Sequence, residues 1–232
     1  MIPKKIHYCW FGKNPKNSVV SQCIKSWKKY ASDFEIQEWN EKNFPIFKHY
    51  FTTKMYKKKY WAFVSDYARL FVLEKIGGVY LDTDMLLVQS LTPLLKNNCF
   101  LGEEESKIIS AGIIGSKAHH PFIIACKEYY DTHTEELITI PHVLTKTLSQ
   151  YNNKNSITIY PPKTFYPFGP TEIKNYKGQI LSSETYGVHL WNYSWGHPLN
   201  KFFKKIGIHT FGKQFSENLK IKKFLKKIFK FI

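Results

Sequence analysis

The sequence predicts an α/β fold with a mostly parallel central sheet. Strand and helix signals alternate along the chain, which is typical of sheets covered by helices. The 232 residues are 43% hydrophobic and 17% aromatic, which is enough to build one substantial core. Internal repeats and low-complexity linkers are absent from the sequence. We therefore expect one compact domain over residues 1–200, followed by a basic tail over residues 201–232.

The expected elements follow in order, with apolar runs indicating strands and apolar residues at helical spacing indicating helices. Strands are expected at residues 5–10, 34–39, 78–82, 85–88, 99–103, 108–115, 157–160 and 187–191. Helices are expected at residues 18–30, 45–76, 121–132 and 141–151. The second helical stretch has a break near Thr52 and Thr53, and the last two have a proline near the start, where proline is favoured.

Residues 77–84, with the sequence GGVYLDTD, are the most informative run in the chain. The three apolar residues after the glycine pair predict a short buried strand. Because residues two apart in an extended chain point to the same side, Asp82 and Asp84 can converge on one ion. Carboxylates suit Mg²⁺ or Mn²⁺, which usually keep open positions for phosphate oxygens. The run therefore predicts a divalent cation held against a diphosphate.

The helix expected just upstream carries an acid and a base three residues apart, Asp66 and Arg69. Arg69 is the one arginine among 34 basic residues, and the others are lysines. This choice suggests a site that needs a planar donor able to make two hydrogen bonds at once. The alternative is an amphipathic helix with a single surface ion pair, which would contribute little.

Several runs together resemble the family 32 glycosyltransferases with an Asp-x-Asp motif. The resemblance rests on residues 65–69 and 77–84, on the opening run at residues 2–12, on residues 165–167, and on the later spacing of His189, Ser194 and Trp195. These landmarks occur in family order up to about residue 198. The family assembles capsular and surface polysaccharides and is related to mannosyltransferases and, more distantly, to the large glucosylating toxins. The resemblance implies a GT-A type nucleotide-sugar-binding fold.

The resemblance also implies roles for individual residues. Trp10 resembles the aromatic residue that stacks on the nucleobase, and Asp66 and Arg69 resemble the pair that grips the hydroxyls of the donor sugar. Tyr80 and Asp82 resemble contacts to the nucleotide and ribose. The alternative is that Trp10 and Tyr80 are residues of the hydrophobic core.

The metal ligands implied by the resemblance are Asp82, Asp84 and His189, with Asp84 as the direct ligand. The segment that closes over the diphosphate contributes His189, Asn192, Ser194 and Trp195. A single histidine is also often a buried residue with satisfied hydrogen bonds, so that interpretation of His189 stays open.

The implied reaction moves a sugar from a nucleotide diphosphate sugar, either a UDP- or a GDP-sugar, to a hydroxyl of a glycan acceptor, with retention of the anomeric configuration. The cofactor is expected to be Mn²⁺ or Mg²⁺. Residues 103–105, three glutamates, could position the acceptor or stabilise the sugar cation, although a solvated acidic loop is the simpler account. The competing classes are a metal-dependent phosphohydrolase acting on nucleotide sugars, which would need further metal ligands, and a basic binding module.

The net charge of +16 is concentrated near the end of the chain. Residues 201–232 contain ten lysines against Glu217, a local charge of +9. Residues 219–232 place apolar and lysine side chains on opposite arcs of a helix, which predicts binding to an anionic membrane surface. The alternative is a terminal helix that docks on its own domain. The tail lacks arginine, so we expect no nucleic-acid partner.

The cellular location follows from what the sequence lacks. No window approaches 18 uninterrupted apolar residues, and residues 1–5 carry neither an apolar leader nor a cleavage site. We therefore expect a cytoplasmic protein, peripheral on the inner face of the cell membrane, with a lipid-linked glycan as the acceptor. The four cysteines have no metal-ligand spacing, which predicts buried thiols without a disulfide.

Overall fold

Eight strands form two sheets in the computed structural model, which describes residues 1–105, 108–179 and 181–192. The strands are β1 Lys5–Cys9, β2 Glu35–Trp39, β3 Gly78–Leu81, β4 Met85–Leu87, β5 Cys99–Glu105, β6 Ile108–Ser116, β7 Ile157–Tyr160 and β8 Gly187–His189. The larger sheet has six strands in the order β2-β1-β3-β6-β5-β7, and β4 pairs with β8 in a separate two-stranded sheet.

The central sheet is mostly parallel, as the sequence predicts. β1 runs parallel to both β2 and β3, and β7 runs parallel to β5. β6 is antiparallel to both of its neighbours, β3 and β5. Five strands therefore share one direction and β6 opposes them, so the carboxyl ends of β1 and β3 meet at one edge of the sheet.

Helices cover both faces of this sheet. They are α1 Ser18–Tyr30, α2 Tyr50–Lys57, α3 Trp61–Ile76, α4 Pro121–Thr132, α5 Ile140–Gln150 and α6 Pro162–Phe165. The buried strand β3 divides its side chains between the two faces: Tyr80 packs in a core with α2 to α5, while Val79 and Leu81 pack in a core with α1, α6 and β4. This alternation is the period of two that a strand buried on both faces requires.

The predicted break in the helical stretch near Thr52 and Thr53 is wrong, because both threonines lie inside α2. Thr52 is fully buried, and its hydroxyl donates to the Ile46 carbonyl, which fixes the start of the helix. The interruption instead lies between α2 and α3, where Lys59 takes a left-handed backbone conformation with φ of 58°. A lysine gives little sequence signal for this conformation, which usually favours glycine.

The acidic run at residues 103–105 forms the end of β5 and not a solvated loop, which corrects the simpler expectation. The pairing of β5 with β6 is interrupted by shifts of register between Leu101 and Gly102 and between Glu103 and Glu105. Such bulges bend a strand and redirect its side chains. Glu103 and Glu104 are half-buried, and Glu105 is exposed.

The four cysteines, Cys9, Cys23, Cys99 and Cys126, are buried free thiols. Burial raises the pKa of Cys9 and Cys99 to about 12, so both remain protonated near neutral pH. None of the helices in the described ranges combines the length and the apolar character needed to cross a bilayer.

Candidate active site

The glycine pair before β3 brings the chain tightly into the sheet. Gly77 and Gly78 have φ of 70° and 112°, values that side chains rarely adopt. A Cβ at Gly77 would lie 2.6 Å from the backbone nitrogen of Ala118, and one at Gly78 would lie 2.8 Å from the carbonyl oxygen of Lys5. The two glycines therefore allow β3 to sit between its neighbours with its carboxyl end at the edge of the sheet.

Asp82 and Asp84 lie in a turn and not in the strand itself, because β3 ends at Leu81. The Asp82 amide donates to the Gly112 carbonyl at 2.8 Å, and the Met85 amide donates back to the Asp82 carbonyl at 2.9 Å. The two carboxylates converge, as expected. They are brought together by the turn and not by the alternation of side chains along a strand.

Pairing of β4 with β8 adds His189 to these carboxylates. Met85 lies opposite His189 in this ladder, which places the histidine beside Asp84. Ligand atoms of Asp82, Asp84 and His189 all lie within 4.8 Å of one another. His189 Nε2 is 3.2 Å from Asp84 Oδ1, and the Asn192 amide donates to Asp84 Oδ2 at 2.8 Å. The structure thus brings the three expected metal ligands into one group.

His189 is not a core histidine with both ring nitrogens satisfied by described residues. Its Nδ1 atom is buried and has no hydrogen-bond partner in residues 1–105, 108–179 or 181–192. The side-chain amide nitrogen of Asn192 is in the same situation. Two unpartnered polar atoms beside two carboxylates are expected at a site built to receive a ligand.

The pKa values of the two aspartates shift in opposite directions. Burial would raise the pKa of Asp84, but His189 and the hydrogen bonds from its ring and from Asn192 outweigh burial and lower the pKa. Burial raises the pKa of Asp82 despite the nearby Arg69, and the charge of Asp84 adds to the increase. Burial would lower the pKa of His189, yet Asp84 and Asp82 raise it.

The donor set fits a divalent cation. It consists of two carboxylates and one imidazole, with no thiolate, which suits Mn²⁺ and similar cations that accept oxygen and nitrogen ligands. A cation at this position would also lower the free energy of the buried carboxylate pair, because two like charges this close repel strongly in a low-dielectric site.

Asp66 and Arg69 form a buried pair, so the alternative of a surface ion pair is wrong. Their side chains are 9% and 6% exposed. Arg69 Nη2 donates to Asp66 Oδ1 at 2.9 Å, and Arg69 Nη1 donates to the Ala111 carbonyl at 2.8 Å and lies 3.1 Å from Asp82 Oδ1. The planar guanidinium thus links α3, β6 and the end of β3, which a lysine cannot do with one nitrogen.

Tyr80 lies directly beneath this arginine. The guanidinium carbon of Arg69 is 4.4 Å from the centre of the Tyr80 ring, and the Tyr80 hydroxyl donates to Asp82 Oδ1 at 3.1 Å. Tyr80 is only 1% exposed. This burial fits a position in the core, from which the tyrosine hydroxyl orients Asp82, and the contact with the nucleotide stays a prediction.

Trp10 directly follows β1, the strand next to β3, so it lies at the same edge of the sheet as the two aspartates. Its Nε1 donates to the Asn14 carbonyl at 2.7 Å, and Lys16 Nζ is 5.7 Å from the ring centre. The expected substrate-binding residues Ser194 and Trp195 lie outside the described residues, as does the tail over residues 201–232.

Sequence reasoning missed the aromatic side chains that lie around His189. The rings of Trp191 and Tyr166 lie 4.3 Å and 5.6 Å from the imidazole ring, measured between centroids. The Tyr166 hydroxyl accepts from the Ile113 amide at 3.2 Å, and a Cβ at Gly112 would lie 3.0 Å from that hydroxyl. Tyr166 lies in one of the landmark runs, but neither its contact with His189 nor that of Trp191 has a local sequence signal.

Glu104 lies near the same group of side chains. In the preceding part of β5, the Phe100 ring stacks on Phe165, and a Cβ at Gly102 would lie 2.9 Å from the Tyr166 ring. The charge of Glu104 contributes to the raised pKa values of both Tyr166 and His189. A third carboxylate therefore lies near the Asp82, Asp84 and His189 group.

Comparison with known proteins agrees with this geometry. Residues 17–101 match the family model described as "Glycosyltransferase sugar-binding region containing DXD motif". Human alpha-1,4-N-acetylglucosaminyltransferase is 29% identical over 169 residues, 64% of this chain and 48% of that protein. Human lactosylceramide 4-alpha-galactosyltransferase is 28% identical over 148 residues, 56% of this chain and 41% of that protein. The chain thus spans about half the length of these curated relatives or less.

Two solved structures share the fold at low sequence identity. The PaToxG glycosyltransferase has a TM-score of 0.52 at 18% identity, covering 64% of this chain and 69% of its own. The glycosyltransferase GlyE of Streptococcus pneumoniae has a TM-score of 0.51 at 12% identity, covering 88% of this chain and 60% of its own. With its mostly parallel central sheet, the described part of the chain has the GT-A fold of glycosyltransferases, and the matched sugar-binding region includes Asp82 and Asp84.

Proposed function

We propose that the protein is a metal-dependent retaining glycosyltransferase, which moves a sugar from a nucleotide diphosphate sugar to a hydroxyl of a glycan acceptor. One observation carries the proposal: the Asp82, Asp84 and His189 group lies beside a buried Asp66–Arg69 pair, and Arg69 touches Asp82. A cation site and a sugar-gripping pair are the two parts that transfer from such a donor needs.

The reaction leaves a nucleoside diphosphate and gives the sugar positive character as the anomeric bond breaks. A cation held by Asp82, Asp84 and His189, Mn²⁺ or Mg²⁺, supplies Lewis-acid stabilisation to the diphosphate when bound. Asp84 is kept ionised and is oriented by the Asn192 amide. Asn192, Ser194 and Trp195 are proposed to close over the diphosphate.

The protein side chains fix the donor. Asp66 and Arg69 are proposed to hold the sugar hydroxyls, with Arg69 anchored by the Ala111 carbonyl so that its position is set before the donor arrives. Trp10 is proposed to stack on the nucleobase, and Tyr80 to position Asp82. Glu104, whose charge acts on both Tyr166 and His189, is suited to stabilise positive charge that develops on the sugar.

The acceptor is proposed to be a lipid-linked glycan in surface polysaccharide synthesis. Support comes from the name of one relative, a lactosylceramide galactosyltransferase, and from the basic amphipathic pattern of residues 219–232. In this proposal the enzyme works in the cytoplasm, with the tail on the anionic inner face of the cell membrane. The donor is a UDP- or a GDP-sugar.

A panel of UDP- and GDP-sugars, incubated with the full chain and Mn²⁺, tests the activity. Slow release of the nucleoside diphosphate, abolished by a chelator and restored by Mn²⁺, is the result expected of a transferase that uses water as a poor acceptor. Release of inorganic phosphate would instead identify a phosphohydrolase. Binding without turnover across the whole panel would identify a binding module and overturn the proposal.

A further inference from the structure

Exposed aromatic side chains concentrate in one short segment, residues 47–60. Phe47, Tyr50 and Tyr60 are 68%, 65% and 38% exposed. The other large hydrophobic side chains exposed in the described ranges are aliphatic: Met1, Leu137 and Ile159. Scattered exposed apolar residues are ordinary, but three aromatic residues within fourteen positions suggest a contact surface.

The same segment is strongly basic. It contains five lysines and no aspartate or glutamate. Lys54, on α2, pairs with Glu135 in the loop after α4. The other four, all exposed, form no ion pair with a described residue: Lys48, Lys57, Lys58 and Lys59. We call these four lysines, together with Phe47, Tyr50 and Tyr60, the α2 surface.

The α2 surface rests on a fixed base. Phe51 and Met55 of α2 are buried, with 1% and 0% exposure. On the outer side, the Phe47 ring packs edge-on against Tyr56 at 5.7 Å, and Tyr56 packs against Trp61 at 5.0 Å, measured between ring centroids. Phe47 is thus held at the surface by packing and is not a side chain that could simply fold inwards.

This surface adjoins the loop after β1, which follows Trp10. Glu41 Oε1 accepts from the Gly12 amide at 2.7 Å and from the Tyr56 hydroxyl at 3.3 Å, which ties α2 to the loop after β1. A Cβ at Gly12 would lie 2.7 Å from Trp61 Nε1, so the start of α3 packs directly on that loop. Trp10, the proposed nucleobase contact, is two residues before Gly12.

We infer that the α2 surface binds an anionic phospholipid membrane and holds the loop after β1 close to it. Lysines without partners supply attraction to acidic headgroups, and exposed aromatic rings insert at the headgroup level, which is the combination used by interfacial membrane-binding segments. The membrane contact would bring a lipid-linked acceptor to the candidate active site. That consequence rests on the proposed function, but the binding itself does not.

Sedimentation of the full chain with vesicles tests the inference, using phosphatidylglycerol mixed with phosphatidylethanolamine and, for comparison, phosphatidylcholine alone. The test variant is Lys57→Gln/Lys58→Gln/Lys59→Gln. Its matched control is Lys25→Gln/Lys28→Gln/Lys29→Gln on α1, which removes the same charge from another exposed lysine set. The test variant should bind the anionic vesicles at least tenfold more weakly than the natural chain, and the control less than threefold more weakly.

Three outcomes would overturn the inference. Equal losses in the two triple variants would mean that net charge alone attracts the protein. Unchanged binding of the test variant would assign the membrane contact to another part of the chain. Loss of binding to a single-stranded oligonucleotide in the test variant, with no vesicle binding by the natural chain, would identify a nucleic-acid surface.

Two further measurements keep the aromatic part and the catalytic part separate. Phe47→Ser/Tyr50→Ser should weaken vesicle binding even at high salt, where lysine attraction is screened. If this variant binds as the natural chain does at high salt, the aromatic residues are not inserted. Nucleoside diphosphate release without vesicles should be unchanged in all three variants, so failure of the proposed function and failure of membrane binding give different results.

Discussion

Helix α3 contributes to two ionic clusters, which differ in burial and in the balance of charge. Near its start, Asp66 and Arg69 join Asp82, and Asp84 lies next to Asp82 in the metal group. Arg69 contacts two of these carboxylates, Asp66 and Asp82, and Asp84 contacts His189. Near its end, Glu74 pairs with Lys75 and Lys127, at 3.0 Å and 3.3 Å.

The second cluster is self-sufficient in charge. Lys127 also pairs with Asp131 at 3.3 Å, and the Tyr67 hydroxyl donates to Asp131 at 2.9 Å. Two acids therefore face two lysines. The first cluster has three carboxylates against Arg69 and the His189 imidazole, so it is the one that an added cation would compensate. The comparison indicates which buried ion pairs of a fold are structural and which are part of a binding site.

The largest effect is expected when one acid is removed from each cluster. Asp84→Ala should lower nucleoside diphosphate release by on the order of 10²- to 10³-fold, because it removes a metal ligand and a charge next to the leaving group. Asp131→Ala should leave turnover within about twofold, since Asp131 belongs to the self-sufficient cluster. Mn²⁺ binding measured by calorimetry should weaken in the first variant and not in the second.

Full metal-dependent turnover in Asp84→Ala would contradict both the site and the comparison. A loss of turnover in Asp131→Ala with normal unfolding would show instead that the second cluster is also part of the catalytic machinery.

Exchanging the basic residues tests the geometry of the two clusters. Arg69→Lys should reduce the free energy of unfolding by about 2–4 kcal/mol, because one ammonium group cannot serve Asp66, Asp82 and the Ala111 carbonyl together. Lys127→Arg should change it by less than about 1 kcal/mol, since Lys127 lies nearer the surface and makes single contacts. Urea unfolding measures both, and similar losses in the two variants would remove the distinction.

Much of the first cluster could be predicted because its signals are local. The run at residues 77–84 specifies a turn, a buried strand and two acids in sequence, and the use of one arginine in a lysine-rich chain marks Arg69. The α/β fold followed from alternating patterns, which survive errors of a few residues at each boundary.

The parts that could not be predicted depend on contacts between distant residues. The register that places Met85 opposite His189 is set by pairing of β4 with β8, about a hundred residues apart. Packing also determines that Trp191 and Tyr166 surround His189 and that the arginine covers Tyr80. The break between α2 and α3 was misplaced because a left-handed lysine, Lys59, carries no glycine signal.

The first cluster should make the stability of the protein depend on pH. Burial raises the pKa of Asp66 to about 6, against the opposing effect of Arg69. The folded protein thus binds this proton more tightly than the unfolded chain, so stability falls as pH rises from about 4 to about 6 and then levels off. Relative to Asp66→Asn, the natural chain should lose roughly 1–3 kcal/mol over that interval.

Urea unfolding at pH 4, 5, 6 and 7 for the natural chain and Asp66→Asn measures this difference, and other carboxylates largely cancel in the comparison. A natural chain that gains stability over the variant as pH rises would mean that Arg69 dominates and that the pKa of Asp66 is lowered on folding.

The smallest expected effect concerns Glu74, whose removal isolates the structural cluster. Burial would raise the pKa of Glu74, but Lys75 and Lys127 outweigh it and lower the pKa, so the folded state favours the charged form. Glu74→Gln should therefore cost about 1 kcal/mol of unfolding free energy at pH 7 and less at pH 4, where the glutamate begins to protonate. Turnover and Mn²⁺ affinity should not change. If they fall together with stability, the two ends of α3 act as one unit, and the balance of charge does not separate a structural cluster from a binding one.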